Sequence, residues 1–143
     1  VFHPIQVAIK TSKDVWLWDP TQQTLKILDP KAVESYKNKK RTSFKKFLNA
    51  KTVGILVSTK VGQNDNKIAN YSKELKMKKA LELKARTDKK YYLFAFDTLL
   101  QYDLENFNFI DLWVNTACNR IGDENPKILE IDDLLEFEKT GGI

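Results

Sequence analysis

The sequence predicts an α/β domain, a mostly parallel sheet flanked by helices in three layers. Two observations carry that expectation. Three short apolar runs, Val53-Gly54-Ile55-Leu56-Val57, Tyr91-Tyr92-Leu93-Phe94-Ala95-Phe96 and Phe109-Ile110-Asp111-Leu112-Trp113-Val114, are continuous rather than alternating, as are strands covered on both faces of a parallel sheet. Helix-forming stretches separate them, and strands that alternate with helices imply parallel strands joined by crossovers.

Taken in order, the first thirty residues are expected to form two strands, Ile5–Ile9 and Val15–Trp18. Thr11-Ser12-Lys13-Asp14 would be the turn and Asp19-Pro20 the stop. Pro30 precedes a helix whose Val33, Tyr36, Phe44 and Phe47 fall near one face, bounded by Ala50-Lys51. After the first apolar run, a helix rich in Lys, Glu, Leu and Ala should begin near the capping cluster Asn64-Asp65-Asn66, with Ile68, Tyr71 and Leu75 on one face. A shorter piece, Thr98 to Asn106, joins the second and third runs. Ile131 to Phe137 reads as the final helix, with Asp132 and Asp133 favourable near its N-terminal dipole. Open α/β sheets bind ligands outside the carboxyl ends of their strands. That rule singles out Ser58–Asn64, Asp97-Thr98 and Asn115–Asp123.

At 143 residues the chain has the length of one domain, with enough apolar content to bury a core. It contains no apolar run of about 18 residues, so no membrane span is expected, and no basic-then-apolar secretory leader opens it. It begins on Val1 and ends on Gly141-Gly142-Ile143; both ends read as cuts from something longer. A single cysteine excludes an internal disulfide framework and suits a reducing, cytoplasmic setting. With one histidine, His3, and one cysteine, Cys118, a self-contained zinc site of His and Cys ligands is excluded. Any metal would need ligands from other segments. The net charge of +5 conceals a polarisation: residues 31–90 hold 18 Lys/Arg against 5 Asp/Glu, and residues 91–143 hold 3 against 11. Such a block reads first as a solvated lysine face, and second as a surface for nucleic acid or an acidic partner.

Cys118, in WVNTACNRI, is the leading candidate for chemistry. A lone cysteine is by type more often a small buried hydrophobe. This one directly follows a buried strand, at a carboxyl-end loop, and Arg120 could stabilise a thiolate or an anionic ligand. The polar segment from Cys118 to Pro126 offers backbone amides to cluster sulfurs or ligand oxygens. Gly62 and Gln63 follow the first apolar run, where glycine permits a positive φ and close backbone approach. Val61-Gly62-Gln63 is far from a GxGxxG or Walker pattern, so nucleotide triphosphate binding is not supported, and a plain strand-to-helix turn explains it equally well. His3 has no visible partner and reads as structural. Trp16, Trp18 and Trp113 lie in strands and read as core. Asp111, inside an apolar run, either faces a partner amide at a domain interface or caps a neighbouring helix.

Around Cys118 these residues form a wider pattern. WVNTACNRI, preceded by LENFNFIDL and followed by Pro126-Lys127-Ile128-Leu129, resembles the C-terminal domain of diphthamide synthases, the archaeal and eukaryotic 2-(3-amino-3-carboxypropyl)histidine synthase family. Val1-Phe2-His3-Pro4 looks like the family's Phe-His element, and Val15–Pro20 like the apolar strand and Asp-Pro that follow it. The segment from Gly54 to Gln63 is similar to the family's strand and Gly-Gln turn. The resemblance covers nearly the whole chain, in the family's order. Asn119 stands where the family usually has proline, and the connection into the Tyr91 run is longer and richer in lysine.

The resemblance implies a parent built from three similar α/β domains, each giving one cysteine to a central 4Fe–4S cluster, with Cys118 matching the third. It implies that S-adenosyl-L-methionine binds the open iron, near Gly62 and Gln63, and that Gln63 could hydrogen-bond its amino-acid end. Noncanonical reductive cleavage would then yield a 3-amino-3-carboxypropyl radical that adds to a histidine of translation elongation factor 2. The full-length protein would be a homodimer with neither membrane nor nucleic acid as partner, and this domain alone would be inactive. The competing reading is a basic α/β binding module whose Lys37–Lys46 face holds RNA, the ribosome or an acidic protein; no recognised RNA-binding signature accompanies it.

Overall fold

A computed structural model describes residues 2–59, 67–97, 101–117 and 125–141, which fall into two compact units, Val1–Lys40 and Arg41–Ile143. The first unit holds α1 (Phe2–Thr11), β1 (Trp16–Asp19), β2 (Thr24–Ile27) and the opening turns of α2 (Pro30–Asn49). Helix α1 replaces the strand expected over Ile5–Ile9. The pattern Ile5-x-Val7-x-Ile9 fits both periods, because Ile5 and Ile9 also stand four apart on one helical face. Burial decides between them: Ile5 is buried and Val7 is half exposed, whereas a strand would put both on one side. Pro4 sits in the first turn, where its missing N–H has no helical acceptor to lose. The helix ends at Ser12, whose φ of 55° is left-handed and whose N–H donates to the Ala8 carbonyl at 2.9 Å.

Strands β1 and β2 form an antiparallel hairpin with Trp16 opposite Ile27 and Trp18 opposite Leu25. Asp19 holds its turn: its Oδ1 accepts from the N–H groups of Thr21 at 2.9 Å and Gln22 at 3.2 Å. Directly opposed residues share a face, so Trp16, Trp18, Leu25 and Ile27 stand together on one side of the hairpin. That side is open, with Trp16 61% and Trp18 60% exposed. The expectation that these two tryptophans are core is therefore corrected: a two-stranded sheet has two faces and nothing described covers this one. Within the same unit Gln6 Nε2 donates to the Tyr36 hydroxyl at 2.8 Å.

The second unit carries β3 (Thr52–Ser58), α3 (Lys67–Lys84), β4 (Lys90–Phe96), α4 (Gln101–Glu105), β5 (Leu112–Asn115), β6 (Ile128–Glu130) and α5 (Ile131–Thr140), together with the last turns of α2. Its four strands are all parallel, in the order β4-β3-β5-β6. One face presents Val53, Ile55, Val57, Leu112, Val114 and Leu129 to Phe44 and Phe47 of α2, Ala80 and Leu83 of α3, and Leu134 of α5. The other presents Leu56, Trp113 and Ile128 to Leu104 of α4 and to Ile110. Both faces of the sheet are thus covered, as the continuous run in β3 predicts.

Three details differ from the sequence reading. The buried face of α3 is Ala80 and Leu83, while Tyr71 and Leu75 are exposed; this lysine-rich helix carries aliphatic residues on more than one side, so periodicity alone does not select the docking face. The Tyr91–Phe96 run is the sheet's edge rather than an interior strand, leaving Tyr92 and Leu93 partly exposed. The third run pairs only from Leu112, because Phe107 to Ile110 makes a turn closed by the Ile110 N–H to the Phe107 carbonyl at 3.0 Å.

Candidate functional site

The winding of the sheet locates the site. From β3 the chain crosses through α3 to β4 on one side, then returns through α4 to β5 on the other side of β3. The direction reverses between β3 and β5, and an open α/β sheet binds ligands at the carboxyl ends of the strands flanking such a reversal. Two of the three candidate segments follow the strands at that place, whereas Asp97-Thr98 follows the edge strand β4. β3 runs out through Ser58 and Thr59 toward Gly62 and Gln63, and β5 through Asn115, Thr116 and Ala117 to Cys118. Gly62, Gln63, Cys118 and Arg120 themselves lie outside the described residues, as does the Asn64-Asp65-Asn66 cluster.

The two strand ends are tied to their neighbours. Thr116 N–H donates to the Leu56 carbonyl at 3.0 Å and its hydroxyl to the same oxygen at 2.7 Å. Thr59 binds the Phe96 carbonyl through its N–H at 2.8 Å and its hydroxyl at 3.1 Å. Beneath them, on the paired strands β5 and β6, sits a polar pair that sequence reasoning missed. Asn115, fully buried, donates through Nδ2 to both carboxylate oxygens of Glu130 at 3.0 and 3.1 Å. Its Oδ1 accepts the Ala117 N–H at 3.0 Å, and Lys76 Nζ donates to the Ala117 carbonyl at 3.1 Å. Glu130 occupies the N-cap position of α5 yet makes no side-chain cap bond; its carboxylate is engaged by Asn115. The available signal was a single Glu between Leu129 and Ile131, and an Asn closing an apolar run, each a polar residue where the pattern calls for burial.

Asp111 acts at the opposite, amino end of the sheet. Its Oδ2 accepts the N–H groups of Lys51 at 2.9 Å and Thr52 at 3.0 Å, so it secures the entry into β3 rather than a helix. Those two backbone bonds, Thr52's the stronger influence, hold its carboxyl below the usual aspartate range. A lowered value in the folded state means stability present above the unfolded pKa of about 3.9 and lost as pH falls through the folded one. We expect Asp111→Asn to cost about 1 kcal/mol at neutral pH, with the gap to the wild type closing in acid. Denaturant midpoints measured across pH check this; a gap that persists below the carboxyl's titration would refute it.

Other features do not build a site. Lys40, inside the expected basic face, is buried, with its ammonium 5.2 Å from the centre of the Tyr36 ring. A groove of about 360 Å³ is lined by Leu104, Phe107, Ile110, Trp113, Asn125 and Lys127, residues of α4 and the turn after it, of the start of β5 and of the stretch that leads into β6. Among the described residues no group of three or more His, Cys, Asp or Glu could hold a metal ion, and no helix is long and apolar enough to cross a membrane.

Comparison with known proteins identifies a family and supports the fold. The family model described as "Putative diphthamide synthesis protein" matches residues 1–139. The 2-(3-amino-3-carboxypropyl)histidine synthase of Pyrococcus horikoshii is 30% identical over 121 residues, which are 85% of this chain and 32% of that protein. The synthase of the same name from Methanocaldococcus jannaschii is 25% identical over 140 residues, 96% of this chain and 36% of the relative. The crystal structure of Dph2 from Pyrococcus horikoshii with a 4Fe-4S cluster superposes with a TM-score of 0.70 at 24% identity, covering 97% of this chain and 38% of that one. A second crystal structure of the same protein gives 0.68. The fold is shared, and the chain spans about a third of the length of these relatives.

Proposed function

The chain belongs to the diphthamide synthesis protein family, and from that premise we propose that it is the third α/β domain of a 2-(3-amino-3-carboxypropyl)histidine synthase. In this reading Cys118 is one of three cysteines that hold a 4Fe–4S cluster, each from a different domain of a longer, homodimeric chain. The protein substrate is translation elongation factor 2, and the group transferred to its histidine comes from S-adenosyl-L-methionine. When bound, the cluster supplies the one-electron reductive chemistry that this cofactor needs.

The observation that supports this best is the adjacency of the two strand ends that lead to these residues. The lone cysteine follows Ala117 at the carboxyl end of β5, and the segment bearing Gly62 and Gln63 leaves β3 beside it, at the reversal of winding. The donor chemistry fits in the same way. One thiol per chain and no self-sufficient acidic or histidine cluster among the described residues suit a single ligand to a shared cluster. They do not suit a site complete in itself. Gln63 would bind the amino-acid end of S-adenosyl-L-methionine, and the loop backbone would lie close to it because Gly62 carries no Cβ.

The full-length protein purified without oxygen tests the assignment. It should carry iron and acid-labile sulfide and be brown, whereas Cys118→Ala should lose most of both and its transferase activity. The 143-residue chain alone should hold no stable cluster. Retention of full iron content and activity in the Cys118→Ala protein would end this reading of the cysteine.

A further inference from the structure

We propose that Asn115 and Glu130 are positioning residues: a buried pair that sets the backbone at Ala117 and so the point from which Cys118 is presented. The inference rests on the reading of Cys118 as a cluster ligand and adds to it the device that aims the ligand. Four observations carry it. Asn115 and Glu130 are register partners on β5 and β6, so the pair joins the two strands at their carboxyl ends. Both are buried. Asn115 uses its two ends differently: the amide nitrogen grips the Glu130 carboxylate, while the oxygen accepts the Ala117 N–H. The far side of the Ala117 residue is held in turn through its carbonyl by Lys76. Cys118 is the next residue in the chain.

The chemistry explains why an amide and a carboxylate stand here. An asparagine that must both donate and accept has one usable orientation, and a carboxylate that accepts from Nδ2 fixes which way the amide points. Its oxygen is then aimed at the Ala117 N–H. Glu130 is anchored because it heads α5, whose Leu134 is fully buried. The core of the sheet is thereby coupled to a backbone position one residue before the thiol. A cluster ligand has to be held in a narrow range of positions by a supporting shell, and this pair has the geometry of such a shell.

Asn115→Asp tests the pair directly. It keeps an oxygen for the Ala117 N–H and sets a second carboxylate against Glu130, so any loosening at Ala117 reports lost aim rather than a lost acceptor. In the 143-residue chain, amide exchange at Ala117 should speed up by about tenfold, the scale of one charge-assisted hydrogen bond, while the amides of Ile55 and Val114 stay protected. Adding Glu130→Gln restores a donor and an acceptor with their direction reversed, and should bring exchange back to within about threefold of the original. Glu130→Gln alone is the milder variant, with the same local signature at smaller size, and serves if Asn115→Asp does not fold. In the full-length protein, Asn115→Asp should lower iron content and the double variant should recover it.

Unchanged exchange at Ala117 would overturn the proposal, and so would equal loosening throughout the sheet, which marks a merely structural pair. Full iron content in Asn115→Asp, alongside its loss in Cys118→Ala, would overturn the positioning role and leave the proposed function standing. Full iron content in Cys118→Ala would instead remove the function on which the role depends.

Discussion

Replacing Trp113 by alanine is expected to destabilise the unit that carries the parallel sheet by about 3–5 kcal/mol. The indole is buried, 3% exposed, in the smaller of the two core layers. It meets Phe94 edge to face at 4.8 Å and Phe107 at 6.2 Å. Among the described residues of this unit, short α4 and the turn after it back this face of the sheet, so few of those atoms can collapse into the space the ring leaves. Cavity cost is greatest where the surroundings cannot relax. Denaturant unfolding followed by far-ultraviolet circular dichroism measures the loss; a cost under about 1 kcal/mol would mean that Phe94 and Phe107 close the gap.

Gly54→Ala should rank next, at about 1–3 kcal/mol, and for a reason tied to the same ring. Gly54 and Trp113 are register partners on β3 and β5, and the indole lies across the glycine. A Cβ at Gly54 would stand 2.5 Å from ring carbons Cε3 and Cζ3 of Trp113 and 3.2 Å from Ile110 Cγ2. Phe94 and Phe107, which also pack on each other at 4.8 Å, hold the ring in place. Contacting residues do not add independently. In a Trp113→Ala background, Gly54→Ala should therefore lose most of its cost or become slightly stabilising, since the methyl enters the cavity. Additive costs in the double variant would show that the clash is not with Trp113.

Much of this architecture was legible because burial on both faces leaves a mark in composition. Val53–Val57 and Leu112–Val114 are apolar without alternation, and both became interior strands of one parallel sheet. The helix after Pro30 was legible through that proline and its apolar face, and the one from Ile131 through Asp132 and Asp133 near its N-terminal end. Elsewhere the local signal was ambiguous. Ile5, Val7 and Ile9 satisfy a strand and a helix alike, and in the helix Ile5 is buried and Ile9 partly so while Val7 remains half exposed. Tyr91–Phe96 reads like β3, yet it lies at the edge, and strand order is a long-range property that residue type does not encode. The three residues of β6 are too few for any period to register.

The candidate site divides in the same way. Chain order and residue chemistry by themselves determined that Cys118 is the lone thiol after a buried strand, that Gly62 and Gln63 follow another, and that the surrounding motifs resemble one family. These are local facts, written in consecutive residues. Only the tertiary structure decided that the two strands leading to them are neighbours at a reversal of winding. It alone brought Glu130 beneath Asn115 from fifteen residues away, assigned Asp111 to the entry of β3, and left Trp16 and Trp18 in the open. Each of those outcomes depends on which distant element comes to lie against a residue. The burial of a polar pair, or the exposure of an aromatic one, is set by those neighbours and not by the residue's own place in the chain.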